Sequence, residues 1–144
     1  MREQKFYQRA SAFTAYVGIE TRARGRSCRL QVRPCHANAM GYAHGGAIFS
    51  LADRAFSCAV NQRGKVAVAM EMKINYLSPV KVGDVLVTRT SIVKEGRSTT
   101  VCYIEVLRRK EPVAVVLATG FNCRSGDRAL RVDHADNGRE TGDH

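Results

Sequence analysis

Residues 45–60 read GGAIFSLADRAFSCAV, and residues 66–77 read VAVAMEMKINYL. The first is the longest helical candidate in the chain. After its two glycines, the clearly polar members are Ser50, Asp53, Arg54 and Ser57, spaced i, i+3, i+4 and i+7 so that they share one narrow face. Such a helix is buried nearly all round and keeps a single polar seam. In the second stretch Val66, Val68, Met70, Met72, Ile74 and Tyr76 alternate with Ala67, Ala69, Glu71, Lys73, Asn75 and Leu77. Period-two patterning of this length predicts a long strand with one buried face and one mixed face.

Outward from these two elements the pattern continues. Upstream, residues 2–15 read as a short amphipathic helix with Phe6, Ala10, Phe13 and Tyr16 near one face, broken by Gly18. Residues 17–23 and 26–33 read as strands joined at Gly25, with Cys28, Leu30 and Val32 alternating with polar neighbours until Pro34. Downstream, Ser78-Pro79 ends the long strand and Gly83-Asp84 turns the chain into a strand over 85–93. Glu95-Gly96 is a hairpin turn into 98–108, and a turn near Glu111-Pro112 leads into 113–122. Tight connections make an antiparallel sheet, and a sheet with an apolar face must cover something. The expectation is an α+β domain, an antiparallel sheet of about six strands wrapped around one long central helix, occupying residues 1–123. Apolar residues thin out after Cys123, so residues 124–144 are expected to form a tail without fixed structure.

With 144 residues and 44% hydrophobic content, the chain suits one domain with a real core. No apolar run approaches the ~20 residues of a membrane span. The N-terminal MREQKFYQRASAF is charged and has no apolar centre, so no secretory leader is expected and the cytoplasm is the expected compartment. Cys28, Cys35, Cys58, Cys102 and Cys123 are odd in number and lack a close pair, which argues against a disulfide framework or a zinc knuckle.

The chemistry concentrates in His36-Ala-Asn38-Ala-Met-Gly41-Tyr-Ala-His44-Gly45-Gly46 and in Asp53 beyond it. Gly45 and Gly46 open the helix, where the first backbone N–H groups have no intrahelical partner. Glycines allow a ligand oxygen close to those donors, and the helix dipole favours negative charge there. An attacked carbonyl becomes an oxyanion, and one pre-aimed donor is worth roughly 10²–10³ in rate. Asp53 follows Gly45 by just over two turns. A carboxylate on an apolar helix is unfavourable unless paired or used, and partial burial should raise its pKa toward that of a base or nucleophile. The competing reading is an ion pair or hydrogen bond across a subunit interface.

The pattern HxNxxGxxHGGxxFxLAD resembles the signature of the phenylacetic-acid-degradation type of hotdog-fold thioesterases, which include mammalian acyl-CoA thioesterases. The resemblance extends to EMKINYLSPVKVGD at 71–84, EGRS at 95–98 and the final strand, covering roughly residues 5–123. It implies an acyl-CoA thioesterase whose substrate is a coenzyme A thioester and which needs no further cofactor or metal. Asp53 would activate water or attack the thioester carbon. The Gly45 N–H would polarise the carbonyl, Asn38 would orient the water or thioester, and His44 would support the loop. The resemblance also implies a homodimer with shared sites, Asp53 of one chain facing Asn38 and Gly45 of the other, and pairing of dimers into tetramers. For the coenzyme A end it points to Tyr76 and to the turn carrying Lys94, Gly96, Arg97, Ser98 and Thr99, whose cations and small hydroxyls suit phosphates and the pantetheine arm.

One position departs from the pattern. Some relatives carry a Ser or Thr on the long strand to hold the attacking water, and the matching position here is Ala69. Glu71, two residues on, is the available substitute. The acyl pocket is expected to involve Phe49, Phe56 and parts of the long strand, which suits aryl and medium aliphatic chains alike. The net charge of +10 belongs to the folded part, since the tail from Arg124 has four Arg against five acids. Arg22, Arg24, Arg26, Arg29 and Arg33 form a run without an acid, suited to nucleic acid, to coenzyme A phosphates or simply to solvent. Few aromatics interleave with it, which disfavours single-strand nucleic acid binding. Three alternatives compete with hydrolysis: a metal site from Cys35, His36, His44 and Asp53, whose spacing fits no common site; a hotdog dehydratase, which would want a His beside Asp53; and a non-catalytic acyl-CoA binding or sensing module.

Overall fold

The computed structural model describes residues 10–61 and 66–124. The elements run α1 (Ala12–Val17), β1 (Glu20–Arg22), β2 (Ser27–Gln31), α2 (Gly45–Val60), β3 (Val66–Tyr76), β4 (Val85–Glu95), β5 (Thr99–Arg108) and β6 (Glu111–Cys123). All strand pairs are antiparallel in one sheet of order β1-β2-β4-β5-β6-β3. The sheet wraps around α2, and the core is the interior between them: Ile48, Leu51, Ala52, Ala55 and Phe56 from the helix against Leu30, Leu86, Ile104, Val106, Val116 and Ala118 from the strands. This is the α+β hotdog architecture expected from the sequence.

α2 occupies the predicted 45–60. Its polar seam splits, however. Ser50, Asp53 and Ser57 stay half-buried, whereas Arg54 turns into the core, with its Nε donating to Thr21 Oγ1 at 3.2 Å. A long guanidinium stem can be buried when its donors are met.

The long strand begins and ends near its predicted bounds, but its single apolar face does not hold. Register shifts between Ala69 and Glu71, so Met70 is the extra residue of a β-bulge. Ala67 and Ala69 face the helix side on the first half of β3, and Met72, Ile74 and Tyr76 do so on the second. Val68 and Glu71 therefore point outward. A bulge shifts the two-residue phase by one, which a strict alternation read from sequence cannot show.

Other boundaries moved by a few residues. The helix expected at 2–15 lies partly outside the described residues, Phe6 included; α1 buries Thr14 and Val17 and leaves Phe13 and Tyr16 exposed. Gly18 ends it in the left-handed conformation. The β5–β6 turn is Arg109-Lys110, both at positive φ as a two-residue hairpin requires, and Glu111-Pro112 already belongs to β6. The expected tail lies outside the described residues beyond Arg124. Among the described residues no helix is long and apolar enough to cross a membrane.

Candidate active site

The loop before α2 is tied down by its own polar groups. Arg33 N–H donates to His36 Nδ1 at 2.9 Å, which makes that nitrogen an acceptor and leaves Nε2–H to donate to the Val17 carbonyl at 2.7 Å. His36 is thus a buried fastener between the loop and the end of α1. Ala37 and Ala43 pair across the loop, and His44 N–H donates to the His36 carbonyl. Asn38 Oδ1 accepts from Met40 N–H and Tyr42 N–H at 2.9 and 3.1 Å, an Asx turn. Its carbonyl end is spent on the loop, and its NH₂ is available to a ligand.

His44 is the N-cap of α2, its Nδ1 accepting from Gly46 N–H at 2.8 Å. Ala47 N–H is satisfied by the His44 carbonyl. Among the described residues the Gly45 N–H has no acceptor. One donor is therefore left open at the positive end of a 16-residue helix.

Tyr76, at the end of β3, donates its hydroxyl to the Gly45 carbonyl at 2.9 Å. A Cβ built on Gly45 would stand 2.9 Å from that hydroxyl oxygen and 3.0 Å from Cζ. A Cβ on Gly46 would stand 3.0 Å from His44 Nδ1. A side chain at position 45 would therefore have to displace the Tyr76 ring, and one at 46 would crowd the His44 ring. Within one chain Tyr76 lies beside Gly45 and away from the turn it was grouped with on sequence.

Asp53 lies along α2 on the half-buried seam. No donor among the described residues reaches its carboxylate. Burial pushes its pKa up, and the Arg54 charge opposes this in part. The competing reading, a partner for Asp53 across a subunit interface, concerns a second chain. Phe56, expected in a pocket wall, is sealed in the core at 1% exposure under Gly120, whose added Cβ would stand 2.6 Å from its Cζ. Phe49 is half-buried on the seam side. Ala69 pairs with Gly120 and faces the helix side, while Glu71 is turned to the outer face and cannot stand in for it.

The Lys94–Thr99 turn sits at the opposite end of the sheet. Tyr76 pairs with Ala114 and Thr99 with Phe121. Seven residues of β6 separate those points, roughly 24 Å at the strand rise. Lys94, Arg97, Ser98 and Thr99 are exposed, and Gly96 N–H donates to the Thr99 carbonyl. The turn is held by Asn122, a residue that sequence reasoning missed. Its backbone N–H donates to the Ser98 carbonyl, its Nδ2 to the Gly96 carbonyl at 2.9 Å, and its Oδ1 accepts from Thr100 Oγ1. An Asn in a strand pattern, on the face that should be apolar, was the available signal.

β3 is an edge strand, and its exposed residues are Val68, Ala69, Met70, Glu71, Lys73, Asn75 and Tyr76. A long edge with no partner strand among the described residues is a template for pairing with another strand.

The profile of the thioesterase superfamily matches residues 40–115. Acyl-coenzyme A thioesterase PaaI of Escherichia coli K12 is 39% identical over 83 residues, 58% of this chain and 59% of that protein. The chain spans between half and three fifths of the length of the first curated relatives it matches. Among solved structures, the TT0310 protein of Thermus thermophilus superposes with a TM-score of 0.73 at 33% identity, over 78% of this chain and 98% of that one. A Streptococcus mutans UA159 protein solved with acetyl CoA bound superposes with a TM-score of 0.67 at 32% identity, over 73% of this chain and 86% of that one.

Proposed function

Because the chain belongs to the thioesterase superfamily, we propose that it hydrolyses the thioester of an aryl- or medium-chain acyl-coenzyme A to the free acid and coenzyme A. The observation that carries this reading is the Gly45 N–H at the head of α2, which finds no acceptor among the described residues. It supports a carbonyl binding there with its oxygen on the helix N-terminus. Asn38 Nδ2 is a second donor from the same loop.

Asp53 is the group suited to act on water. Its pKa is raised by burial, and no donor among the described residues holds its charge, so the carboxylate is a stronger base than an exposed Asp. It takes a proton from water as the oxygen bonds to the thioester carbon. The Gly45 N–H and the helix dipole carry the resulting oxyanion. Collapse breaks the C–S bond, and the thiolate leaves readily because a thiol pKa is only about 8.5. The proton passes from Asp53 to the thiolate or to solvent. No step calls on a metal or cofactor.

The site needs two copies of the chain. β3 pairing with itself about a two-fold axis runs antiparallel, so the start of one β3 lies beside the end of the other. That arrangement carries the Lys94–Thr99 turn of one copy toward the Gly45 and Tyr76 end of its mate. It reconciles the roughly 24 Å separation within one chain with a single coenzyme A site. The reading includes a homodimer with Asp53 facing Asn38 and Gly45 across the interface, dimers pairing into a tetramer, and action in the cytoplasm. The basic turn then serves coenzyme A phosphates, not nucleic acid.

Ala69 favours a second course for the same reaction. With no hydroxyl there to hold water, Asp53 could attack the thioester carbon directly, giving a mixed anhydride that water then opens. Single turnover in H₂¹⁸O separates the two, since only the direct route can place label in the Asp53 carboxyl. The overall proposal is tested by thiol release from aryl-, short-, medium- and long-chain acyl-coenzyme A. Release from none of them overturns hydrolysis and leaves a binding module.

A further inference from the structure

The contact between Tyr76 and the start of α2 goes beyond an ordinary helix–sheet contact. Its hydroxyl donates to the carbonyl of Gly45 at 2.9 Å, and its ring fills the space a Gly45 side chain would take. A carbonyl oxygen has two lone pairs. The Gly45 oxygen can therefore hold the Tyr76 hydroxyl and still accept an intrahelical bond from the next turn. From the other side, His44 Nδ1 holds the Gly46 N–H. The Gly45 residue is gripped through its carbonyl and its Cα face, while its own N–H is left with no acceptor among the described residues.

We infer that Tyr76 is a positioning residue, which aims the Gly45 N–H at the reacting carbonyl by anchoring the Gly45 carbonyl to the end of β3. The inference rests on the thioesterase reading and deepens it. An oxyanion donor contributes through its direction as well as its presence, and a displacement near 1 Å can cost about 10² in rate. The first turn of a helix frays easily because its N–H groups lack partners. A tyrosine from the sheet, bonded to the first helical carbonyl, removes that freedom where the donor must not move. It also explains why Gly occupies position 45: a methyl group there would push against the ring that holds the turn in place.

The expected signature is a loss in turnover without a loss in binding. Tyr76→Phe keeps the ring and removes the hydroxyl, and should lower kcat about tenfold with KM changed less than about twofold, as for an interaction realised mainly in the transition state. Gly45→Ala should lower kcat by roughly 10² in the parent. In a Tyr76→Ala background, where the ring is gone, the same change should cost less than about threefold, because neighbouring substitutions couple. A rise in KM at unchanged kcat, or costs that simply multiply, overturns the positioning role and makes Tyr76 a coenzyme A contact or a bystander.

Parent turnover is measured alongside, so an inactive parent refutes hydrolysis without deciding the role of Tyr76. Amide exchange decides it independently of activity. Tyr76→Phe should speed exchange of the Ala47, Ile48 and Phe49 N–H groups at least about tenfold, because local opening governs exchange at a frayed turn. Unchanged rates there would refute the anchoring.

Discussion

Gly45 and Asp53 lie on one helix, eight residues and about 12 Å of axial rise apart. Reacting groups must approach to about 3–3.5 Å, so one thioester carbon cannot meet both from a single chain. The separation sets the first prediction. Asp53→Asn and Asn38→Ala chains, each nearly inactive as homodimers, should regain activity when mixed and allowed to exchange subunits. Half of the dimers are then mixed and each has one intact site, so recovery should approach about a quarter of parent turnover. Absence of recovery despite heterodimers seen by native mass spectrometry would refute the shared site.

Asp53 should trade stability for activity. Its carboxyl pKa is raised in the fold by burial, against the pull of Arg54. Between the unfolded and folded pKa values the native state binds more protons than the unfolded one, so stability falls as pH rises through that window. The penalty is complete once the pH exceeds the folded-state pKa. Asp53→Asn should therefore lower kcat by at least about 10², yet raise Tm near pH 7 by roughly a few degrees, and the Tm difference should vanish in acid. The acid limb of kcat/KM should lie above the ordinary Asp range. A variant less stable than the parent at pH 7 would contradict the buried, unpartnered carboxylate.

These two residues also show how far the sequence could be read. The α2 bounds and the succession of strands along the chain were legible because a 16-residue apolar helix and period-two strands are long, repeated signals. The bulge at Met70 was not, because it changes strand phase without changing composition. That single residue turned Val68 and Glu71 outward and removed Glu71 as a substitute for the missing hydroxyl at Ala69. Glycines 45 and 46 were legible as the start of the helix, but the contact that reaches Gly45 through Tyr76 lies 31 residues away in the chain. Such a contact exists only once the sheet has formed.

Asn122 offers a test of the distant turn. It is 8% exposed and bonds to Ser98, Gly96 and Thr100, so the exposed cations at Lys94 and Arg97 are carried on a buried amide. Asn122→Leu leaves the Gly96 carbonyl and Thr100 hydroxyl without partners and should destabilise the fold by about 1–3 kcal/mol, read by urea denaturation. In the folded enzyme it should raise KM for acyl-coenzyme A several-fold with kcat little changed, matching a Lys94→Gln, Arg97→Gln double variant. An unchanged KM in both would remove the turn from the coenzyme A site.

The last test concerns the water. Ala69 faces the helix side beside Gly120, whose Cα lies under the Phe56 ring one turn along α2 from Asp53. Ala69 itself is exposed in the single chain, so a hydroxyl fits there without crowding the core. If Asp53 acts as a general base on a loosely held water, Ala69→Ser should raise kcat by several-fold, a small part of the roughly 10²–10⁴ that positioned proton transfer contributes in enzymes. The gain should disappear in Asp53→Asn. If Asp53 attacks carbon directly, an added water site helps only the hydrolysis of the anhydride, and kcat should rise only where that step is slow. Pre-steady-state thiol release distinguishes these outcomes: a burst followed by a steady rate that Ala69→Ser accelerates marks the nucleophile, and faster release without a burst marks the base.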